Sequence, residues 1–308
     1  MPHHLRQAKS VYDDRVTGNI ERWRGFAEEY DRVRPPPPSV LLDWITRYAV
    51  GDARPFASTG SRPAPGQSKV AGTNADAGML SRVVDVGAGT ALSTLCWSGR
   101  AREVIGIEPS DDMRRVALER VAGAGANNVE IRNGLATATG LPDACADVVT
   151  CSQCLHWLEP EPTFAEVARI LRPGGVFAAY DCDWPPSTGA WRAEAAYATF
   201  VARATELERT SAVPVRAHKW DKAGHLERMR ASGRFAFVRE IVLHEAVQGD
   251  AERFIGLALT QGGPATLRKL GVADDELGIP ALREAVERAF GAGPRAWILC
   301  YRLRLGIR

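Results

Sequence analysis

A carboxylate stands two residues ahead of a glycine turn in "VVDVGAGTAL", residues 83–92. Val83, Val84 and Val86 form a β-branched run, which predicts a short buried strand. Gly87, Ala88, Gly89 and Thr90 follow at once. Glycine permits a tight turn and lets backbone approach a ligand closely. The pattern predicts a strand ending in a loop that cradles a ligand, with Asp85 beside it. A carboxylate there would repel a pyrophosphate, but it could accept a hydrogen bond from an ammonium or hydroxyl group.

The dinucleotide fingerprint G-x-G-x-x-G asks for a third glycine, and Leu92 stands in that place. S-adenosylmethionine brings an α-amino group and no phosphate, so the charge of Asp85 favours it over a nicotinamide dinucleotide. Glu108 closes "VIGIEPS" 23 residues past Asp85. An acid about 20 residues on can bind a ribose diol, which would serve either ligand.

Other residues could act on a substrate. His156, in "CLHWLEP", should face a cleft, and histidine titrates near neutral pH, which suits a general base. Trp157 beside it would shape the pocket wall. Tyr30 and Arg34, in "EEYDRVRP", could fold over the ligand from an N-terminal helix, and Tyr12 is a further candidate of the same kind. Asp183 and Trp184 follow a strand and are placed to touch substrate. Trp220 belongs to an aromatic group with Trp184, Trp191, Tyr197 and Phe200. Such rings could stack on a planar acceptor. "CSQC" at Cys151–Cys154 has metal or redox spacing, but no second CxxC or nearby histidine pair completes a zinc set. These thiols read as small residues near a strand end, and no metal site is expected.

The elements that would position these residues alternate from 81 to 181. Strands are expected at "RVVDVGAG", "EVIGIEPS", "VEIRNG", "ADVVTCSQCL" and "VFAAYDCDW". Helices are expected at "TALSTLCWSGRA", "DDMRRVALERVAGAG" and "EPTFAEVARILRPGG". This alternation implies an α/β fold, a parallel sheet with helices on both faces. Ligands of such sheets bind at the carboxyl edge. Before it, residues 1–50 carry two amphipathic helical segments split by Pro35–Pro38, and residues 51–80, rich in Gly, Ser, Pro and Ala, suggest a flexible insertion. Residues 185–235 look helical and would form a lid over the substrate, and 236–308 would complete the sheet and its helices.

"VVDVGAGTAL", "VIGIEPSDDM", "GLATATGLPDACADVVTCSQCLHWLEP" and "EVARILRPGGVFAAYD" together resemble the successive motifs of class I S-adenosylmethionine-dependent methyltransferases. The likeness covers residues 81–182 and is nearest the small-molecule branch with ubiquinone/menaquinone-type and trans-aconitate-type members. It implies a Rossmann-like, seven-stranded, mostly parallel sheet with an antiparallel last strand. It implies that Asp85, Gly87, Ala88, Gly89 and Thr90 line the methionine end, and Arg34 could fold over that cofactor from the N-terminal helix. Glu108 would hold the ribose, and Pro109 and Met113 the adenine. Leu135 and Ala136 fall where relatives carry an acid that meets the adenine amine. Gln153 and His156 would lie near the sulfonium.

The totals agree with a soluble enzyme. The chain has 308 residues, 25% charged, a net charge of +2 and a pI near 8.2. A nucleic-acid binder more often shows a clustered basic face and a pI above about 9. No apolar stretch reaches the ~20 residues of a membrane span, and a cytoplasmic monomer or homodimer is expected. The expected activity is methyl transfer from S-adenosylmethionine to a small aromatic or heterocyclic metabolite. A nicotinamide-dependent oxidoreductase and a cofactor-binding protein without transferase activity are the alternatives.

Overall fold

β-Branched and apolar runs make the two strands at the centre of the molecule. β1 spans Leu80–Val86 and β2 spans Ala101–Ile107, and both end on four consecutive buried residues. Burial on both faces is the mark of a parallel sheet covered by helices. The computed structural model describes residues 15–51, 79–210 and 218–308. Tyr12 and nearly all of the expected 51–80 insertion lie outside these described residues.

The remaining strands are β3 (Val129–Arg132), β4 (Ala146–Ser152), β5 (Leu171–Cys182), β6 (Phe237–Gly249) and β7 (Arg295–Ile307). The sheet runs β3-β2-β1-β4-β5-β7-β6. β1 to β5 pair in parallel, and β7 is inserted antiparallel between β5 and β6. This is the seven-stranded sheet expected, with the last strand reversed. The strand order turns back between β1 and β4, so a crevice opens beyond their carboxyl ends.

Helix Ser39–Val50 packs Leu41, Leu42 and Ile45 on one face, in a core with Val83, Val104 and Trp97. Helix Pro160–Ile170 packs Phe164 and Val167 on the other, with Val84, Ile105 and Phe177. A third core joins helices Trp191–Thr210, Ala251–Leu259 and Ile279–Phe290 through Tyr197, Phe200, Phe254 and Val286. Among the described residues no helix is long and apolar enough to cross a membrane.

One expected helix is absent. "TALSTLCWSGRA" holds a single 3₁₀ turn, Thr94–Trp97. Its polar side chains bond elsewhere: Thr94 to Asp85, Ser93 to Tyr180, and Ser98 back to the Leu95 carbonyl. Such local bonds compete with a helix.

Candidate functional site

The carboxyl ends of β1, β2 and β4 meet a cleft of about 890 Å³. The glycine loop forms its floor. Gly87 and Gly89 take left-handed φ of 69° and 57°. A side chain on Gly87 would come within 2.8 Å of Cys154 Sγ, so β1 and β4 approach this closely only because position 87 has none. Glu108 lies at the rim, where its Oε2 accepts from Gly89 N (2.9 Å) and its Oε1 from Ser110 N (2.8 Å). Burial pushes its carboxyl above the ordinary value, against those two amides and Arg114.

The apolar wall of the cleft comes from Pro109, Met113, Leu135 and Ala136. Val16, Asn19, Ile20 and Trp23 close the far side. Their i, i+3, i+4, i+7 spacing is one face of a helical turn, a signal present in the sequence that pointed only to a covering helix. Asn19 fixes this segment, donating to the Trp157 carbonyl (2.7 Å) and accepting from His218 N (2.9 Å). A narrow recess of about 430 Å³ adjoins the loop, bordered by Ala88, Thr90, Tyr30 and Arg34.

A second cavity, about 1200 Å³, opens beside the cleft. Trp23, Tyr30, Gln153 and Trp157 wall both. Gln153 holds a left-handed φ of 56°, an uncommon conformation for a residue with a side chain and one that gathers at functional sites. Tyr30 is half-buried, and desolvation raises its hydroxyl above the usual value and keeps it protonated. The Arg34 guanidinium lies 5.0 Å from the Tyr30 ring centre and 4.9 Å from that of Trp184.

His156 also faces the second cavity. Its Nδ1 lies 3.5 Å from Asp181 Oδ1, too long for a good hydrogen bond. The expectation of a near-neutral histidine is corrected. Burial pulls His156 down to about 4, against the raising effect of Asp181. Asp181 is itself 2% exposed. Burial works against its charge, but Lys222 (2.8 Å) and His156 hold its carboxyl well below the usual range. Arg304 takes its other oxygen at 3.0 Å. His225 is buried next to this group, with its ring centre 6.5 Å from that of His156. His156, Asp181 and His225 offer three metal-ligand atoms within 4.8 Å of one another. Two cations already hold both Asp181 oxygens, so a metal would have to enter against them.

Three further site expectations are corrected by the geometry. Asp85 lines neither cavity nor the recess. Its carboxylate is fully buried under the loop, where it accepts from Thr94 Oγ1 (2.7 Å) and Thr150 Oγ1 (2.6 Å), and burial pushes it up to about 6. It orders the loop from below. Asp183 turns from the cavities to pair with Arg302 at 3.0 Å. Trp220 packs its ring on His218, and its backbone N–H holds the His156 carbonyl at 2.8 Å. The cysteines behave as small residues: Cys151 is buried, Cys154 Sγ donates to the Val86 carbonyl, and burial raises both thiols. Arg22, Lys219 and Lys222 line the second cavity without having been singled out in the sequence.

Residues 84–179 match the family model described as a methyltransferase domain. These residues are a methyltransferase domain. The chain is 33% identical, over 101 residues, to part of the uncharacterised methyltransferase YcgJ of Bacillus subtilis, 32% of this chain and 40% of that one. An uncharacterised methyltransferase-like protein of Schizosaccharomyces pombe is 27% identical over 158 residues, 51% of this chain and 50% of its own. The chain thus spans half or less of the length of these curated relatives. A solved structure of a candidate type II methyltransferase from Anaeromyxobacter dehalogenans aligns with 89% of this chain and 97% of its own, at a TM-score of 0.54 and 22% identity. The overall fold is therefore the Rossmann-like fold of that domain class, with the cleft at its carboxyl edge.

Proposed function

We propose that this protein transfers the methyl group of S-adenosylmethionine to a small planar acceptor, aromatic or heterocyclic. The observation that carries the reading is Glu108. Each of its oxygens holds one backbone N–H and keeps lone-pair capacity for a hydroxyl, which suits a ribose diol. Beside it, the slot of Pro109, Met113, Leu135 and Ala136 suits a flat purine. Thr90 Oγ1 and Arg34 Nε are buried without partners at the recess by the glycine loop. A hydroxyl and a guanidinium suit the amino and carboxylate groups of an amino-acid end. A pyrophosphate fits poorly. The loop leads into a 3₁₀ turn rather than an α-helix, so the helix N-terminus that usually receives phosphate is missing at this loop.

S-adenosylmethionine, when bound, supplies an activated methyl group. The chain must then align an acceptor atom with it and exclude water, a proximity effect worth up to about 7–11 kcal/mol. Gln153, Tyr30 and Trp157 stand between cleft and second cavity, where that alignment occurs. Tyr30 remains a hydrogen-bond donor at neutral pH. His156 remains neutral, and the nearby Asp181 favours the proton on Nδ1, leaving Nε2 as an acceptor for an O–H or N–H of the substrate. With its conjugate acid near 4, His156 is a polarising partner more than a strong base.

Calorimetric titration with S-adenosylmethionine, S-adenosylhomocysteine and NAD tests this. Both sulfur ligands should bind, and NAD should not. Glu108→Gln should weaken the sulfur ligands about 10–100-fold, the loss expected for hydrogen bonds to a charged group. Binding of NAD alone would replace the reading with a nicotinamide-dependent one.

A further inference from the structure

The polar lining of the second cavity is unbalanced. Arg22, Arg34, Arg209, Lys219 and Lys222 face it against one carboxylate, Glu208. Three of these cations have acidic partners: Arg22 pairs with Glu208 at 2.6 Å, Arg209 with Glu206 at 2.6 Å and Lys222 with Asp181 at 2.8 Å. Arg34 borders the recess by the glycine loop as well, where the donor's carboxylate is assigned. Lys219 has neither a carboxylate nor a hydrogen-bond partner among the described residues. Its ammonium lies 5.8 Å from the Trp157 ring centre. Desolvation, with the charges of Lys222 and Arg22, pushes its titration below the ordinary lysine value. Lys219 is exposed at the mouth of the cavity, where the more distant carboxylates Glu208 and Asp181 only partly offset its like-charged neighbours, so an anion bound there would complete the arrangement.

The position of these charges narrows the partner. They line a concave, partly open cavity beside the methyl-transfer point, a shape that suits a small molecule better than a duplex or a membrane surface. Aromatic walls from Trp157 and Trp184 lie against them, and Arg or Lys beside aromatic faces favours a planar body with a charged edge.

We infer that the methyl acceptor carries an anionic group, a carboxylate or a phosphate, held by Lys219 and Lys222, with its planar body against Trp157 and Trp184. This inference rests on the methyltransferase reading of the site.

The test is calorimetry with three probes of one shape: 2-naphthoate, 2-naphthyl phosphate and neutral 2-naphthamide. Each is titrated into the free protein and into protein saturated with S-adenosylhomocysteine. At least one anion should bind about tenfold or more tightly than the amide, and the better one identifies the source of the charge. Lys219→Gln should remove about tenfold of that advantage and leave S-adenosylhomocysteine affinity unchanged, and Lys219→Arg should restore it. Equal binding of amide and anions, anion affinity unmoved by Lys219→Gln, or no anion binding to the loaded protein would each overturn the inference. Failure of S-adenosylhomocysteine to bind would instead remove the donor reading, and the free-protein titrations would still report on the anion.

Discussion

Arg34 is 9% exposed, has no carboxylate partner among the described residues, and gives only one nitrogen to the Thr260 carbonyl, at 2.8 Å. A buried guanidinium with an unpartnered Nε is costly unless a ligand completes it. Arg34→Met should therefore weaken S-adenosylhomocysteine about tenfold or more. It should leave 5′-methylthioadenosine, which lacks the amino-acid end, nearly unchanged. Equal losses for both ligands in calorimetry would place Arg34 elsewhere in the site. The contrast between Glu108 and Asp85 shows what single residues reveal. Glu108 was legible because its strand ends at the sheet edge about 20 residues past the glycine loop, and Ser110, two residues on, supplies one of its amides. Asp85 was misjudged because its partner Thr150 lies 65 residues away, and only the β1–β4 register, which sets Asp85 beside Thr150, brings that hydroxyl under the loop. Lys219 and Lys222 carry no period or motif; tertiary packing alone turns them into a cavity wall.

At the scale of elements, the glycine loop and the end of β4 are mutually dependent. Gly87 combines a φ of 69° with a Cβ position 2.8 Å from Cys154 Sγ. Gly87→Ala should destabilise the fold by about 1–3 kcal/mol through left-handed strain and that overlap. Adding Cys154→Ala should relieve the overlap with the sulfur but not the close Cβ contact at 3.0 Å or the strain. A double-mutant cycle read from urea midpoints should therefore show coupling, and strict additivity would separate the two elements. The strands and the helices Asp111–Ala124 and Pro160–Ile170 were visible as apolar runs and periods. The segment after the loop was not, because its threonines and serines serve Asp85 and Tyr180 instead of a helix. The covering face of Val16, Asn19, Ile20 and Trp23 was half legible: its period was present, but the cavity it closes is formed by loops distant in sequence.

At the scale of the whole molecule, the buried charges set the response to acid. In the unfolded chain histidine titrates near 6.5. In the fold, burial pulls His156 to about 4 and His225 to about 3. Below pH ~6.5 the unfolded chain therefore binds protons that the folded chain refuses, and stability falls as the pH drops toward 4 and below. Glu166, pulled to about 2 chiefly by Arg169 and aided by Thr139, adds a loss of the same sign below its ordinary value. Asp85 acts the other way. Its carboxyl rises to about 6, so its contribution is full below about 4 and is lost as the pH climbs through 6. Glu108, also raised by burial, acts with Asp85, and Asp181, held low by its cations, acts with the histidines. The histidine shifts are the larger, and the unfolding free energy should decline from pH 7 to pH 4. His225→Gln should flatten part of that decline, because it removes a group that must stay neutral to remain buried. Urea unfolding at intervals across this range, for the wild type and His225→Gln, measures both slopes. A wild-type stability constant or rising toward pH 4 would mean that the two rings are solvated in the folded state. The second cavity would then be wetter than its packing implies, and Lys219 would have less need of an anion.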